Sequence, residues 1–153
     1  PVKEIIWALR NKSRGSESST PALNLHRSYV NGNDWFNYSS ATKNTTLNLG
    51  TYDQFSKARI TMDGVERFEK RDAIYFRQVQ PYQHHSKIPE KEVYSYSFCL
   101  NPEEHQPSGT CNFSRIKTVI LELEGCIASE ILIFAINYNV LKIVGGMAAI
   151  KYN

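Results

Sequence analysis

The sequence has no long uninterrupted apolar run and no block of basic residues. Its most apolar region, Cys126–Ile150, is interrupted by Glu130, Asn137, Asn139 and Lys142, whereas a membrane-spanning helix needs about 20 consecutive apolar residues. The net charge of +3 is small and is spread along the chain. A membrane span is therefore not predicted, and neither a nucleic-acid groove nor a membrane-binding basic strip is supported.

Cysteines are few, and no targeting signal is recognisable. Cys99, Cys111 and Cys126 make an odd number and lack the paired spacing of a metal site. This pattern predicts reduced thiols and assembly inside the cell, with a single disulfide as the open alternative. The chain starts at Pro1 without a basic segment followed by an apolar one. Because its first residue is proline and not methionine, we expect the chain to be a fragment of something longer.

The sequence also lacks the local motifs of an active site, because it has no phosphate-cradling glycine loop and no nucleophile elbow. His84, His85, Glu90 and His105 could be considered as metal ligands. However, neighbouring residues of a strand point to opposite faces, so His84 and His85 would not ligate together there. We interpret these histidines as structural or hydrogen-bonding groups and predict no metal, no cofactor and no enzymatic activity.

Two further arrangements could suggest chemistry. A pairing of Cys99 or Cys111 with one of the histidines is open on spacing alone, but no local motif supports an activated thiolate. Glu103 and Glu104 are adjacent carboxylates, which in a polar loop are more often solvated than catalytic.

Four Asn-X-Ser/Thr sequons match the N-glycosylation pattern, and without a signal peptide we interpret them as chance occurrences. They are Asn11, Asn37, Asn44 and Asn112.

What the sequence does contain is a series of short alternating strands. Val93–Leu100 alternates with period two, which is typical of a sheet with one face in a core. Its predicted core face holds Tyr94, Tyr96, Phe98 and Leu100, and its other face holds Val93, Ser95, Ser97 and Cys99. The following segment, NPEEHQPSGT, contains two prolines and a glycine, so it is predicted to be an ordered loop.

The same reasoning extends along the chain. Strands are predicted at VKEIIWALR (with Ile5, Trp7 and Leu9 inward), Ala58–Met62, Val65–Phe68, Thr118–Glu124, Glu130–Tyr138, Val140–Val144 and Met147–Tyr152. Asp63-Gly64 predicts a turn and Gly145-Gly146 a bulge or bend. Arg71–Val79 is the best candidate for a short helix, and the polar stretch Asn11–Gly50 is predicted to be mostly surface loop. The pattern predicts an antiparallel sandwich or barrel with almost no helix.

Four blocks of this sequence resemble the major capsid proteins of the nucleocytoplasmic large DNA viruses, the iridovirus, phycodnavirus and mimivirus-like group. The blocks occur in the family's order, and the first and last of them lie at the two ends of the sequence, so the match runs along nearly the whole chain. They are PVKEIIWAL, ARITMDGVERFEKRDAIYFRQVQPYQHH, VYSYSFCLNPEEHQPSGTCNFSRI and NYNVLKIVGGMAAIKYN. Lys117 and Cys99 depart from the family's usual residues, but neither disturbs the strand alternation.

The resemblance implies an all-β, antiparallel, eight-stranded jelly-roll sandwich with long loops and at most short helical turns. Residues 1–153 would be the C-terminal jelly roll of a double jelly-roll protein whose N-terminal jelly roll is absent here. Its function would be to build an icosahedral capsid shell from trimeric, pseudo-hexagonal capsomers. A single jelly-roll module that binds a glycan or a receptor through Trp35, Phe36 and Tyr38 is the alternative.

The resemblance also implies partners and a contact site. The partners would be copies of the full-length capsid protein in a homotrimer, neighbouring capsomers, minor capsid proteins and a nearby inner viral membrane, with no direct contact to nucleic acid. The protein would be assembled in the host cytoplasm and would reside in the virion capsid. The candidate assembly-contact loop consists of Pro102, Glu103, Glu104, His105, Gln106 and Pro107.

Overall fold

The computed structural model describes residues 1–10, 36, 38–39, 53–128 and 130–151, and most of their regular secondary structure is antiparallel strand. The strands are β1 (Val2–Arg10), β2 (Lys57–Met62), β3 (Val65–Glu66), β4 (Arg71–Asp72), β5 (Val93–Ser97), β6 (Val119–Glu124), β7 (Glu130–Asn137), β8 (Leu141–Val144) and β9 (Met147–Ile150). A π-helical turn at Tyr75–Val79 continues into the short helix α1 (Gln80–His84), and a 3-10 turn covers Phe113–Arg115. The predicted loop Asn11–Gly50 lies outside the described residues apart from positions 36, 38 and 39.

Strand β1 is the centre of a three-stranded sheet, in the order β5-β1-β7. Both neighbours are antiparallel to it, so that Trp7 pairs with Tyr94 on one side and with Ile133 on the other. The predicted inward residues of β1 are all buried. Glu4 and Ala8 on the opposite face are buried as well, so β1 is covered on both faces.

The second sheet is built around β2, which pairs with β3, β4 and β6. Asp63 and Gly64 form the predicted turn between β2 and β3, with φ of 49° and 82°. Positive φ at both central residues is the conformation of the tight hairpin turn that Asp-Gly favours. The prediction of this hairpin is confirmed.

Side chains from both sheets meet in one apolar core. Trp7 lies at its centre, with its ring 5.3 Å from that of Phe76 and 6.0 Å from that of Tyr94. Phe55 packs against Tyr94 from the other side, at 4.7 Å between ring centroids. Such aromatic contacts contribute about 0.5–1.5 kcal/mol each beyond the burial of their surface.

The helical segment was predicted in part. Regular helix begins later than the predicted Arg71–Val79, because Arg71 and Asp72 pair with β2 as strand β4. It then continues beyond Val79, where the predicted helix ended, through α1. Pro81 lies in the first turn of α1, directly after the π-helical turn, and the first turn of a helix is where proline is tolerated.

The predicted strand Val93–Leu100 is too long, because β5 ends at Ser97. There the Ser97 hydroxyl accepts a hydrogen bond from Cys99 N (3.2 Å) and donates one to Cys99 O (2.7 Å). This side-chain turn bends the chain out of the period-two pattern. Consequently Leu100 is 70% exposed and Cys99 is buried, the reverse of the prediction for these two positions.

Strands β8 and β9 form a two-stranded hairpin that pairs with no other described strand. Gly145 and Gly146 have φ of 60° and 80°, so they form a tight two-residue turn and not the predicted bulge or bend. All eight strand residues are exposed. Among the described residues, no helix is long and apolar enough to cross a membrane.

The prediction of an all-β antiparallel fold with only short helical segments is confirmed. Nine strands occur in the described part of the chain, two of them only two residues long. The count of eight strands stays an expectation from the resemblance.

Candidate functional site

The predicted contact loop is fixed to β1 at its first residue. The Lys3 ammonium group donates a hydrogen bond to the backbone oxygen of Pro102 at 2.5 Å. The side chain of Pro102 is itself among the most deeply buried of the described residues. A buried proline has a fixed φ and little entropy to lose on folding, so this end of the loop is well anchored.

Hydrogen bonds also close the base of the loop. Asn101 N donates to the Ser108 hydroxyl (2.9 Å), which donates in turn to Asn101 O (3.3 Å). Gly109 follows with φ of 143°, a conformation that side chains disfavour, and a Cβ there would lie 3.2 Å from both Cys99 Cα and Phe98 O. The chain can therefore return toward β1 only because residue 109 is glycine.

The C-terminal end of α1 supplies a third anchor. Nδ1 of His84 lies 2.8 Å from Leu100 O. The Glu103 carboxylate accepts hydrogen bonds from Ser86 N (3.1 Å) and from the Ser86 hydroxyl (3.3 Å). The Ser86 backbone N–H lowers the pKa of Glu103, and the Ser86 hydroxyl and the His85 ring act in the same direction.

His85 joins this loop to β1. Its Nδ1 lies 3.3 Å from Oε1 of Glu103, and its Nε2 lies 2.9 Å from Oε2 of the buried Glu4. The ring thus lies between two carboxylates, one exposed and one buried. Three separate segments meet here.

The rest of the loop projects without internal support. Glu104, His105, Gln106 and Pro107 are exposed, and within the described residues their side chains make no hydrogen bond or ion pair. The structure therefore divides the predicted site in two. Pro102 and Glu103 anchor the loop, whereas the four following residues present an unengaged surface.

A second exposed surface lies on the β8–β9 hairpin. One face carries Leu141, Ile143 and Ile150 together, because the register pairs Leu141 with Ile150. Val144 and Met147 pair on the other face and are also exposed. An isolated two-stranded hairpin is marginal in water, so this element is a candidate contact surface that the sequence patterns did not indicate.

Comparison with known proteins identifies the family of this chain. The family model for the large eukaryotic DNA virus major capsid protein matches residues 1–149. The chain belongs to this family. The resemblance found in the sequence is thereby confirmed.

Individual relatives and solved structures agree. The major capsid protein of Phaeocystis pouchetii virus is 46% identical over 103 residues, covering 63% of this chain and 20% of the relative. The crystal structure of PBCV-1 VP54, fitted into a reconstruction of the virophage Sputnik, matches all of this chain and 43% of VP54, with a TM-score of 0.71 and 28% identity. A quasi-atomic model of the PBCV-1 capsid matches with a TM-score of 0.67 and 29% identity over the same shares. The chain thus spans about a fifth of the length of the first curated relative.

Membership of a capsid protein family confirms the expectation of a structural protein rather than an enzyme. Among the described residues, no group of three or more His, Cys, Asp or Glu side chains is arranged to hold a metal ion. Four residues were considered as metal ligands. His84 and His85 instead contact Leu100 O and the carboxylates of Glu4 and Glu103. Glu90 and His105 are exposed.

The cysteines of this capsid chain are free thiols. Cys99 is buried beside Ser97, and burial raises the pKa of the Cys111 thiol, which is the opposite of activation. Of the four sequons, only Asn112 lies in the described residues. It is exposed and its side chain accepts a hydrogen bond from Ser114 N.

The alternative of a glycan- or receptor-binding module is not favoured, because the matched relatives are capsid proteins. Trp35 lies outside the described residues. Phe36 is exposed, with the Lys91 ammonium group 5.2 Å from its ring centroid.

Sequence reasoning missed one polar cluster inside the core. Arg77 donates to Asp53 (Nε to Oδ1, 2.9 Å), and the Tyr94 hydroxyl donates to the same oxygen at 2.9 Å. Burial raises the pKa of Tyr94, and the nearby Asp53 charge adds to this. Arg77 lies in the predicted helical segment Arg71–Val79, which is rich in aromatic residues. Nothing in the sequence alone indicated that Asp53 is its partner.

Proposed function

We propose that this chain is the C-terminal jelly roll of a double jelly-roll major capsid protein, and that it builds the icosahedral shell of a large DNA virus. Family membership supports the general role. The share of 43% of the matched VP54 chain is close to what one of two jelly rolls would occupy. The N-terminal jelly roll would be supplied by the remainder of the full-length protein.

In this proposal three copies of the full-length protein form a pseudo-hexagonal capsomer. Capsomers then meet one another and the minor capsid proteins, with an inner viral membrane nearby, and assembly takes place in the host cytoplasm. No direct contact with nucleic acid is proposed, since the charge of +3 is not concentrated in a block.

The observation that carries the proposal is the division of the loop into an anchored base and an unengaged tip. A contact surface is most effective when it is ordered before binding, because association then costs less conformational entropy. The bonds from Lys3, Ser86 and Ser108 supply that order. The tip, Glu104–Pro107, remains exposed and is proposed to contact a neighbouring subunit.

The test uses the protein expressed from its complete coding sequence, with Glu104, His105 and Gln106 changed together to Ala. We expect the wild type to form trimers and closed particles, measured by light scattering after size exclusion and by electron microscopy. The triple variant should form fewer of one or both. The matched control changes Lys87 and Glu90 to Ala, two exposed residues of another loop whose side chains make no hydrogen bond or ion pair with the other described residues.

The outcomes separate the parts of the proposal. A wild-type protein that remains monomeric would contradict the trimer. If the triple variant assembles as well as the wild type, the loop is not part of the subunit contact. The family assignment would be unaffected by that result.

A further inference from the structure

The position of His85 between two carboxylates is not explained by the shell-building role. Glu4 of β1 approaches its Nε2 at 2.9 Å, and Glu103 of the loop approaches its Nδ1 at 3.3 Å. The side chain of Glu4 is 5% exposed and that of Glu103 is 49% exposed. Oε2 of Glu4 makes no hydrogen bond of good geometry within the described residues, so the ion-pair contact with Nε2 of His85 at 2.9 Å is what can compensate its charge.

The protonation state of the His85 ring determines to how many carboxylates it can donate a hydrogen bond. A protonated imidazole has an N–H on both nitrogens, whereas the neutral ring has one N–H and one lone pair. With both protons present, the ring can face Glu4 and Glu103 together. After one proton is lost, one of the two carboxylates must face a lone pair.

Burial decides which contact is lost. Leaving the buried Glu4 carboxylate without a donor is far more costly than leaving the exposed Glu103 carboxylate to water. The remaining proton should therefore stay on Nε2, toward Glu4. Nδ1 then presents its lone pair to Oε1 of Glu103, and that contact becomes repulsive.

We propose that His85 is a pH-sensitive latch that ties the Glu103 end of the contact loop to β1 when its imidazole is protonated and loosens it when the proton is lost. The latch works within one chain and does not depend on whether the loop touches another subunit. Histidine is the side chain suited to this, because its charge ordinarily changes between pH 5 and 8.

The other charged and titratable groups nearby are already engaged elsewhere. Lys3, next to Glu4 on β1, holds Pro102 O, and its ammonium group lies 5.1 Å from the Tyr138 ring centroid. His84, the neighbour of His85, faces Leu100 O. Among the described residues, Glu4 and Glu103 are thus the charged groups recorded against the His85 ring.

The backbone N–H of Ser86 provides a direct reporter, because it donates to Oε2 of Glu103 at 3.1 Å. The measurement is the protection factor of this amide, which is the intrinsic exchange rate at each pH divided by the exchange rate observed by NMR in the 153-residue chain. Between pH 5.5 and pH 8 we expect the protection to fall about two- to fivefold, the range for part-exposed charge pairs.

Two variants should abolish the pH dependence. His85→Gln removes the titrating ring, and Glu103→Gln keeps an acceptor for Ser86 N but removes the charge. The matched controls are His105→Gln and Glu104→Gln, at exposed loop residues whose side chains make no hydrogen bond or ion pair within the described part of the chain. Both controls should show the wild-type fall in protection.

A Ser86 protection that is equal at both pH values in the wild type would overturn the proposal. So would the same fall in the Glu103→Gln variant, which keeps the buried Glu4–His85 pair and is expected to fold even if His85→Gln does not.

Discussion

Arg77 and Asp53 form an ion pair inside the core, with Nε of the guanidinium 2.9 Å from Oδ1 of the carboxylate. Their side chains are only 6% and 19% exposed. The Tyr94 hydroxyl donates to the same Asp53 oxygen. One carboxylate thus accepts hydrogen bonds from a residue of the helical segment and from a residue of β5. The pair therefore connects the helical turn to the three-stranded sheet.

Removal of Asp53 should destabilise the fold strongly. Asp53→Ala leaves the Arg77 charge buried without its partner, and breaking a buried pair in this way costs about 3 kcal/mol or more. Chemical denaturation followed by circular dichroism gives the free energy of unfolding. Asp72→Ala, at an exposed aspartate of β4, is the matched control and should change this free energy by less than about 0.5 kcal/mol. Equal losses in both variants would contradict the role of the pair.

Tyr94 should make the fold sensitive to alkaline pH. Its pKa is raised in the folded state by burial and by Asp53, so the folded protein holds the phenolic proton more tightly than the unfolded chain. The stabilisation from this difference is complete below pH 10, the ordinary value for tyrosine, and is lost as the pH rises above it.

The measurement is the free energy of unfolding between pH 10 and pH 11.5. The wild type should lose up to about 1.4 kcal/mol per pH unit more than Tyr94→Phe, which corresponds to one proton. Tyr82→Phe, at a tyrosine that is 77% exposed, retains Tyr94 and should show the wild-type slope. Parallel slopes for wild type and Tyr94→Phe would disprove the linkage.

Much of the sheet could be predicted from the sequence, because a buried strand face repeats every second residue. The rule located Ile5, Trp7 and Leu9 correctly. It failed after Ser97, where a serine hydroxyl bonded to Cys99 replaces strand pairing. A turn formed by a side-chain hydrogen bond produces no repeating pattern of polar and apolar residues, so the sequence did not indicate it.

The site was predicted less completely, for a different physical reason. Prolines and polar residues marked Pro102–Pro107 as an ordered loop, which the structure supports. Its anchors, Lys3, Glu4 and His85, come from segments distant in sequence, and a pattern along one segment carries no information on such pairings. The same limit hid the Asp53–Arg77 pair.

Gly109 should be the least replaceable glycine of the described residues near the loop. Gly109→Ala would force a side chain into φ of 143° and place its Cβ 3.2 Å from Cys99 Cα and Phe98 O. We expect a loss of about 1–3 kcal/mol in the free energy of unfolding. Gly64→Ala is the control, since φ there is 82° and nothing lies within 4 Å of the added Cβ. A larger loss for Gly64→Ala than for Gly109→Ala would show that the close backbone approach is absent in solution.

The apolar hairpin should affect association more than folding of the isolated chain. Ile143 is 66% exposed on β8 whereas Ile60 is 1% exposed on β2, although both are isoleucines in antiparallel strands. Ile60→Ala should cost about 2–5 kcal/mol of unfolding free energy, while Ile143→Asp should change it by less than about 0.5 kcal/mol. The same substitution should weaken association between molecules.

Contiguous exposed apolar residues promote contact between molecules. Ile143→Asp should therefore lower the self-association of the 153-residue chain, measured by light scattering across a concentration series. Ala149→Asp introduces the same single negative charge at an exposed residue but keeps the face of Leu141, Ile143 and Ile150 intact, because Ala149 pairs with Lys142 on the other face, and it should leave association closer to the wild type. If Ile143→Asp unfolds the chain instead, the hairpin is packed against the sandwich in solution and is not a free surface.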